Sequence, residues 1–285
     1  MSITTEIEAL KTNLTNAYTS ISTKGGTIPT NKNAQNLATA INSISSYENS
    51  LRDMISNRSN MTSVDFPSGI TSIGNYAFYG CTRLALTSLP SGITSIGSSA
   101  FYNCTNLALT SLPSGVTSIG NYAFQGCTSL ALTSLPNGIT SIGDSTFSNC
   151  QNLALTSLPS GITRIDSYAF QGCTSLALTS LPNGVTSIGS SVFRNCTSLA
   201  LTSLPSGITR INDYTFYNCT SLISLRIGSN IKTIASGAFN GCTNLTTIYI
   251  NLPRATVEAM SGYSNKWGAT NATIICNDDA GWVEA

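Results

Sequence analysis

The sequence predicts a solenoid of stacked parallel β coils, 23 residues to the coil, with a short α-helical region at its N-terminus. Three observations carry that fold class. Cys81, Cys104, Cys127, Cys150, Cys173, Cys196, Cys219 and Cys242 recur every 23 residues. Phe78, Phe101, Phe124, Phe147, Phe170, Phe193, Phe216 and Phe239 keep step with them. Pro-Ser-Gly or Pro-Asn-Gly turn signals then punctuate the short apolar runs of each unit. Self-similarity at a fixed period of this length marks a repeat architecture, and a unit this short must bury its apolar side against its neighbours.

Residues 1–60 stand outside the repeat and read as helical. Ile7, Leu10, Leu14, Ala17 and Ile21 follow the alternating three-four spacing of a heptad seam, which ends at Lys24-Gly25-Gly26. A second pattern, Leu37, Ile41 and Ile44, begins after Pro29, and the stretch from Leu51 to Ile55 leads toward the first coil. Two roles are open: a cap on the apolar end of the solenoid, or a docking and oligomerisation seam formed by Ile7, Leu10, Leu14 and Ile21.

The solenoid proper, residues 61–250, reads unit by unit as C-T-x-L-A-L-T-S-L-P-S-G-I-T-S-I-G-x-x-A-F-x-N/G. Runs such as Leu107 to Leu112 and Val116 to Ile119 look like strands between turns. Apolar residues at fixed offsets stack as inward ladders, which makes the cysteines small buried hydrophobes. Nine cysteines, an odd number, argue for free thiols rather than a disulfide framework. Zinc is not expected, because it needs convergent pairs of ligands and the chain has no histidine. Six coils carry an additional leucine two residues after the first: Leu86, Leu109, Leu132, Leu155, Leu178 and Leu201. Either the chain bulges to bury it or an apolar stripe faces solvent; burial is the expectation, since an exposed leucine ladder would aggregate.

Residues 251–285 read as a C-terminal cap, with a short helix over Thr256 to Met260 and a last strand over Ala272 to Cys276. Cys276 is off the period, and Asp278 and Asp279 read as a solvated turn.

Composition excludes several functions. Charged residues make up only 9% of the chain, far below the roughly 25% of ordinary globular proteins. Thirteen Lys and Arg against twelve Asp and Glu leave no basic field for phosphates, so nucleic acid is not an expected partner. No apolar run has the length of a membrane span, and the opening MSITTEIEALKTNLTNAY lacks the basic and apolar regions of a secretory signal, so release into the cytoplasm is expected. The absence of histidine removes Ser-His-Asp and Cys-His arrangements. Asp144, Asp166 and Asp213 lie on separate coils, giving no glycosidase pair, and Lys24-Gly25-Gly26-Thr27 lacks the spacing of a phosphate loop. Neither an enzyme nor a cofactor is expected.

Recognition must then sit at the positions that vary. Two residues before each periodic cysteine stand Tyr79, Tyr102, Gln125, Ser148, Gln171, Arg194, Tyr217 and Asn240. Of these, Tyr79, Tyr102, Arg194 and Tyr217 are the candidate ligand-contact edge, because Tyr and Arg most often dominate interface energy. Tyr76, Tyr122, Tyr168 and Tyr214 recur on every second coil, and Gly80, Asn103, Gly126 and Asn149 alternate; both record a 46-residue double unit.

The segments LRIGSNIKTIASGAFNGCTNL (225–245) and LPSGITSIGSSAFYNCTNL (89–107) resemble the BspA-like leucine-rich repeats of bacterial surface proteins, with their I-P-x-x-V-x-x-I-G-x-x-A-F-x-x-C-x-x-L signature. The resemblance covers about residues 62–250. It implies a curved leucine-rich-repeat solenoid with a parallel sheet on one face, used for adhesion to proteins or other cells, and no chemistry. The stretch LKTNLTNAYTSISTKGGTIPTNKNAQNLATAINSI is also similar to N-terminal segments of bacteriophage structural and tail proteins. That second likeness implies a virion protein. Its N-terminal helices would hold other virion proteins or a second copy of the chain, and its solenoid would meet a protein or surface glycan of the host cell. The alternatives are a bacterial cell-surface adhesin and an intracellular scaffold.

Overall fold

The computed structural model describes residues 58–283. The seam Ile7, Leu10, Leu14 and Ile21 and the run Leu51 to Ile55 lie outside the described residues. What is described is a solenoid of about nine coils with about 23 residues per turn. Eight coils carry the periodic cysteines, and the C-terminal segment supplies the last.

Seven coils place a two-residue strand after a Pro-x-Gly turn: β1 (Ser72–Ile73), β2 (Ser95–Ile96), β3 (Ser118–Ile119), β4 (Ser141–Ile142), β5 (Arg164–Ile165), β6 (Ser187–Ile188) and β7 (Arg210–Ile211); after the longer β8 (Ser224–Ile227), β9 (Thr233–Ile234) follows Gly228-Ser229-Asn230 instead. Pairing is parallel and in register, Ile73 opposite Ile96 and Ile96 opposite Ile119. The ladder is interrupted between β3 and β4 and between β6 and β7. Across the second gap the Asn212 amide donates to the Ile188 carbonyl at 2.7 Å.

Longer, four-residue strands make a sheet at the end of the solenoid, where β8 pairs with β10 (Thr247–Ile250) and β10 with β11 (Thr273–Cys276). These strands alternate outward and inward residues, as a half-buried strand requires. The run Leu107 to Leu112 is not a strand, which corrects the expectation from its apolar character. Its three leucines are spaced two and then three apart, and on an extended strand an odd spacing turns one of them to the other face. All of Leu107, Leu109 and Leu112 are buried, so the backbone leaves the extended path. The coils are joined there by a bond such as Ala108 N–H to the Leu86 carbonyl, 3.0 Å. The additional leucines are buried as expected, from Leu109 through Leu201, with only Leu86 in the first coil half-buried.

The phenylalanines form a continuous stack, with successive centroids 5.1 to 5.9 Å apart from Phe78 to Phe239 and ring planes within 13°. The C-terminal segment closes it. The Trp267 carbonyl accepts from Phe239 N–H, where a further coil would otherwise stand, and its fully buried indole donates to Ser261 O at 2.8 Å. A short helix α1 (Arg254–Glu258) starts two residues before the expected one, and β11 matches the expected last strand. Cys276 lies opposite Ile250, which lies opposite Ile227, so it is off the cysteine period because it belongs to the isoleucine column. Asp278 is exposed in a turn, as expected, while Asp279 beside it is half-buried. Asp278 accepts the Arg254 amide at 2.9 Å, and Asp279 holds the Arg254 guanidinium and accepts from Cys276 N–H at 2.7 Å. The guanidinium and that amide hold the Asp279 carboxyl below its usual range.

Candidate binding surface

The inward cysteines have a job beyond filling space. Each thiol from Cys104 to Cys242 donates to the carbonyl of the phenylalanine 26 residues earlier, at 2.9 to 3.0 Å. The same carbonyl also receives the backbone N–H of its own coil's cysteine, as Phe101 O does from Cys104 N, so both of its lone pairs are used. Burial pushes these thiols well above their ordinary range in the middle coils, and Cys242 up to about 11. A thiol held neutral and already donating is neither a nucleophile nor a metal ligand. Among the described residues all the cysteines are free, and no cluster of His, Cys, Asp or Glu is placed to hold a metal.

Two columns run through the left-handed backbone region. The first is Gly80, Asn103, Gly126, Asn149, Gly172, Asn195, Asn218 and Gly241, with φ between 56° and 78°. Glycine and asparagine are the residues that tolerate this conformation. Their alternation also has a steric cause: the side chains of Asn103 and Asn149 occupy the space that a β-carbon on Gly126 and Gly172 would need. Where two asparagines follow each other, Asn218 Nδ2 donates to Asn195 Oδ1 at 3.2 Å. The second column is Tyr76, Ser99, Tyr122, Ser145, Tyr168, Ser191 and Tyr214, with φ between 51° and 61°.

The structure does not gather the sequence-predicted edge into one patch. Tyr79 and Tyr102 stack at 4.7 Å and 3° at the N-terminal end, with Tyr76 6.1 Å from Tyr79. Arg194 lies 4.9 Å over Tyr217 and 5.8 Å from Tyr214 toward the other end. Gln125, Ser148 and Gln171 hold the same position on the coils between, so the edge is two aromatic clusters joined by an amide and hydroxyl stretch. Tyr79 is exposed, while Tyr102, Arg194 and Tyr217 are half-buried.

Two atoms of this column, Gln125 Oε1 and Arg194 Nε, are buried without a hydrogen-bond partner. An unmet buried polar atom costs on the order of 1–3 kcal/mol, and a ligand that supplies the partner recovers part of it. Residue identity alone gave no sign of these two atoms. The left-handed state of the Tyr76 column was equally hidden, although the neighbouring glycine and asparagine pattern was a clue to it. Charge adds little: Arg164 and Asp166 pair at 3.1 Å on an exposed face, where such pairs contribute about 0–1 kcal/mol.

A model of the BspA type leucine rich repeat region matches residues 50–177 and 165–264, in six copies. Among solved structures, a leucine-rich repeat protein from Bacteroides ovatus is 24% identical over 74% of this chain and 68% of that one, with a TM-score of 0.43. The leucine rich repeat protein TpLRR of T. pallidum is 24% identical over 75% of this chain and 86% of that one, TM-score 0.35. The pneumococcal vaccine antigen PcpA is 21% identical over 76% of this chain and 55% of that one, TM-score 0.47. No curated protein matches the chain.

Proposed function

We infer that this chain, which belongs to the BspA type leucine-rich repeat family, is a non-catalytic adhesion protein presented at a cell surface. One observation carries the reading. The inward columns repeat almost unchanged from coil to coil, while the column from Tyr79 to Asn240, exposed or half-buried except at the buried Ser148, changes at nearly every step. Identical core columns store no recognition information; a varied, weakly charged column of aromatic and amide side chains suits a protein or sugar surface. Tyr79, Tyr102, Arg194 and Tyr217 are its anchors, and the amide stretch between them supplies hydrogen bonds. A second reading, a virion protein attached through its N-terminal region, rests on the resemblance of residues 10–44 to phage proteins.

Brief protease treatment of intact cells that produce the chain tests the first reading. Loss of the chain while a cytoplasmic marker survives is expected. Full protection, together with its recovery in phage particles purified from the same culture, would transfer the adhesive role to a virion.

The seam Ile7, Leu10, Leu14 and Ile21 is proposed as the docking element. It spans about two heptads, near the length at which an isolated helix is marginal, so it needs a partner to stand on. Deleting residues 1–45 is expected to leave a folded solenoid that has lost its oligomer or its attachment, read by light scattering and by retention on cells. The same monomeric mass and the same retention with and without the segment would rule this role out.

A further inference from the structure

Tyr76, Tyr122, Tyr168 and Tyr214 are chosen neither by the backbone nor by the core. They occupy the left-handed region, with φ of 57°, 60°, 61° and 55°, where a bulky side chain is a rare and strained choice. At the neighbouring left-handed column the chain uses only glycine and asparagine through all eight coils. At this one, alternate coils use Ser99, Ser145 and Ser191, all buried. The four tyrosines are 57%, 42%, 44% and 43% exposed, so each leaves a large part of its ring to solvent. Tyr76 and Tyr214 also pack beside Tyr79 and Tyr217, and the solvent-facing part of every ring is free to meet something outside the chain.

The spacing says what kind of thing. Tyrosine on every second coil, with a small serine between, makes a comb whose teeth are two coil steps apart, roughly 10 Å. In the phenylalanine stack beneath, successive ring planes lie within 13° of each other, so equivalent side chains of neighbouring coils keep nearly the same orientation. The interval is that of one extended disaccharide in a β-1,4-linked chain, in which every second sugar presents the same face. A pyranose ring lays its axial C–H groups on the negative face of an aromatic ring. Polar partners stand beside the teeth. Asn75 and Asn121 use Oδ1 to accept the Ser98 and Asp144 amides at 2.7 and 3.1 Å, which leaves each amide NH₂ as a donor next to its tyrosine. Asn75 also lines a shallow trough of about 420 Å³, floored by Gly74, Gly97 and Gly120.

We propose that the tyrosine comb binds a linear, uncharged β-1,4-linked polysaccharide laid along the solenoid axis, one disaccharide per double coil. The proposal rests on the reading of the chain as a binding solenoid; the comb is the column beside the Tyr79 to Tyr217 edge, touching it at Tyr76 and Tyr214 and extending beyond it through Tyr122 and Tyr168. Calorimetric titration of the full chain with cellohexaose and chitohexaose tests it, with the corresponding disaccharides and maltohexaose as comparisons. Binding of a β-1,4 hexasaccharide at least tenfold tighter than its disaccharide is expected, because one chain then engages successive teeth. Which hexasaccharide binds better identifies the sugar as glucose or N-acetylglucosamine. The variant Tyr76→Ser, Tyr122→Ser, Tyr168→Ser, Tyr214→Ser keeps a residue that the alternate coils already accept at this φ, so it folds, and it should lose the length dependence; Tyr122→Ser alone should weaken binding roughly three- to tenfold. Equal binding of maltohexaose, no binding of either β-1,4 hexasaccharide, or undiminished binding by the folded four-site variant overturns the proposal. Loss of cell adhesion only in a Tyr79, Tyr102, Arg194 and Tyr217 variant, with glycan binding intact, separates the fate of this site from that of the edge.

Discussion

Alkali is expected to unfold the solenoid in one steep transition between about pH 9 and pH 11, well before ordinary proteins of its size lose structure. Cys127, Cys150, Cys173, Cys196 and Cys219 are buried, and each donates its thiol proton to a phenylalanine carbonyl. Burial raises all five above their ordinary value. In the unfolded chain the same thiols ionise near about pH 8.5. Above that pH the unfolded state therefore holds fewer protons than the folded one, and stability falls as pH rises, until the raised folded values are reached. The slope is about 1.4 kcal/mol per pH unit for each thiol, or roughly 7 for the five, against a total stability of about 5–15 kcal/mol. Below about pH 8 these thiols contribute no pH dependence. Circular dichroism across a pH series under reducing conditions, with return to neutral pH, checks this. An unchanged spectrum through about pH 11 would mean that the thiols are not sealed in the core.

Phe147→Ala is the point substitution with the largest expected cost. Its ring is fully buried, 5.6 Å from Phe124 and 5.7 Å from Phe170. Truncating a buried phenylalanine costs about 3–5 kcal/mol, and two ring–ring contacts go with it, each about 0.5–1.5 kcal/mol. A coil is held only by its neighbours, so a gap in the middle of the stack weakens the coupling between the two halves. The same change at Phe78 loses a stacked contact to Phe101 and an edge contact to Phe66, but the ring is only half-buried, so it should cost less. Urea melts of the two variants test the difference. Equal costs, or a Phe147→Ala cost below about 1 kcal/mol, would show that the stack does not hold the coils together.

The period, the inward columns, the free cysteines and the final strand were legible because each depends on residue type repeated at a fixed offset. The strand over Leu107 to Leu112 was misread because apolar character alone does not show that buried residues spaced two and then three apart are incompatible with one extended face. The turn at Asp278 and Asp279 was legible, but their partnership with Arg254 was not, because Arg254 is more than twenty residues away in sequence and adjacent only after the cap folds. The edge residues stand out in the sequence as variable positions, but a 23-residue period cannot say that Tyr79 with Tyr102 and Arg194 with Tyr217 form separate clusters. The hydrogen bond from each thiol to a carbonyl 26 residues earlier was invisible for a like reason: it joins two different columns of successive coils.

The claim that recognition lies in the outward column of an otherwise repetitive core is tested most directly by cell binding. The fluorescently labelled full chain and its Tyr79→Ala, Tyr102→Ala, Arg194→Ala, Tyr217→Ala variant, matched by thermal melt, are compared for retention on intact bacterial cells and on cultured epithelial cells. Retention of the parent on at least one of these surfaces, falling at least roughly 30-fold in affinity in the variant, is the predicted result. Undiminished retention of the well-folded variant, or no retention of the parent on either, would contradict it.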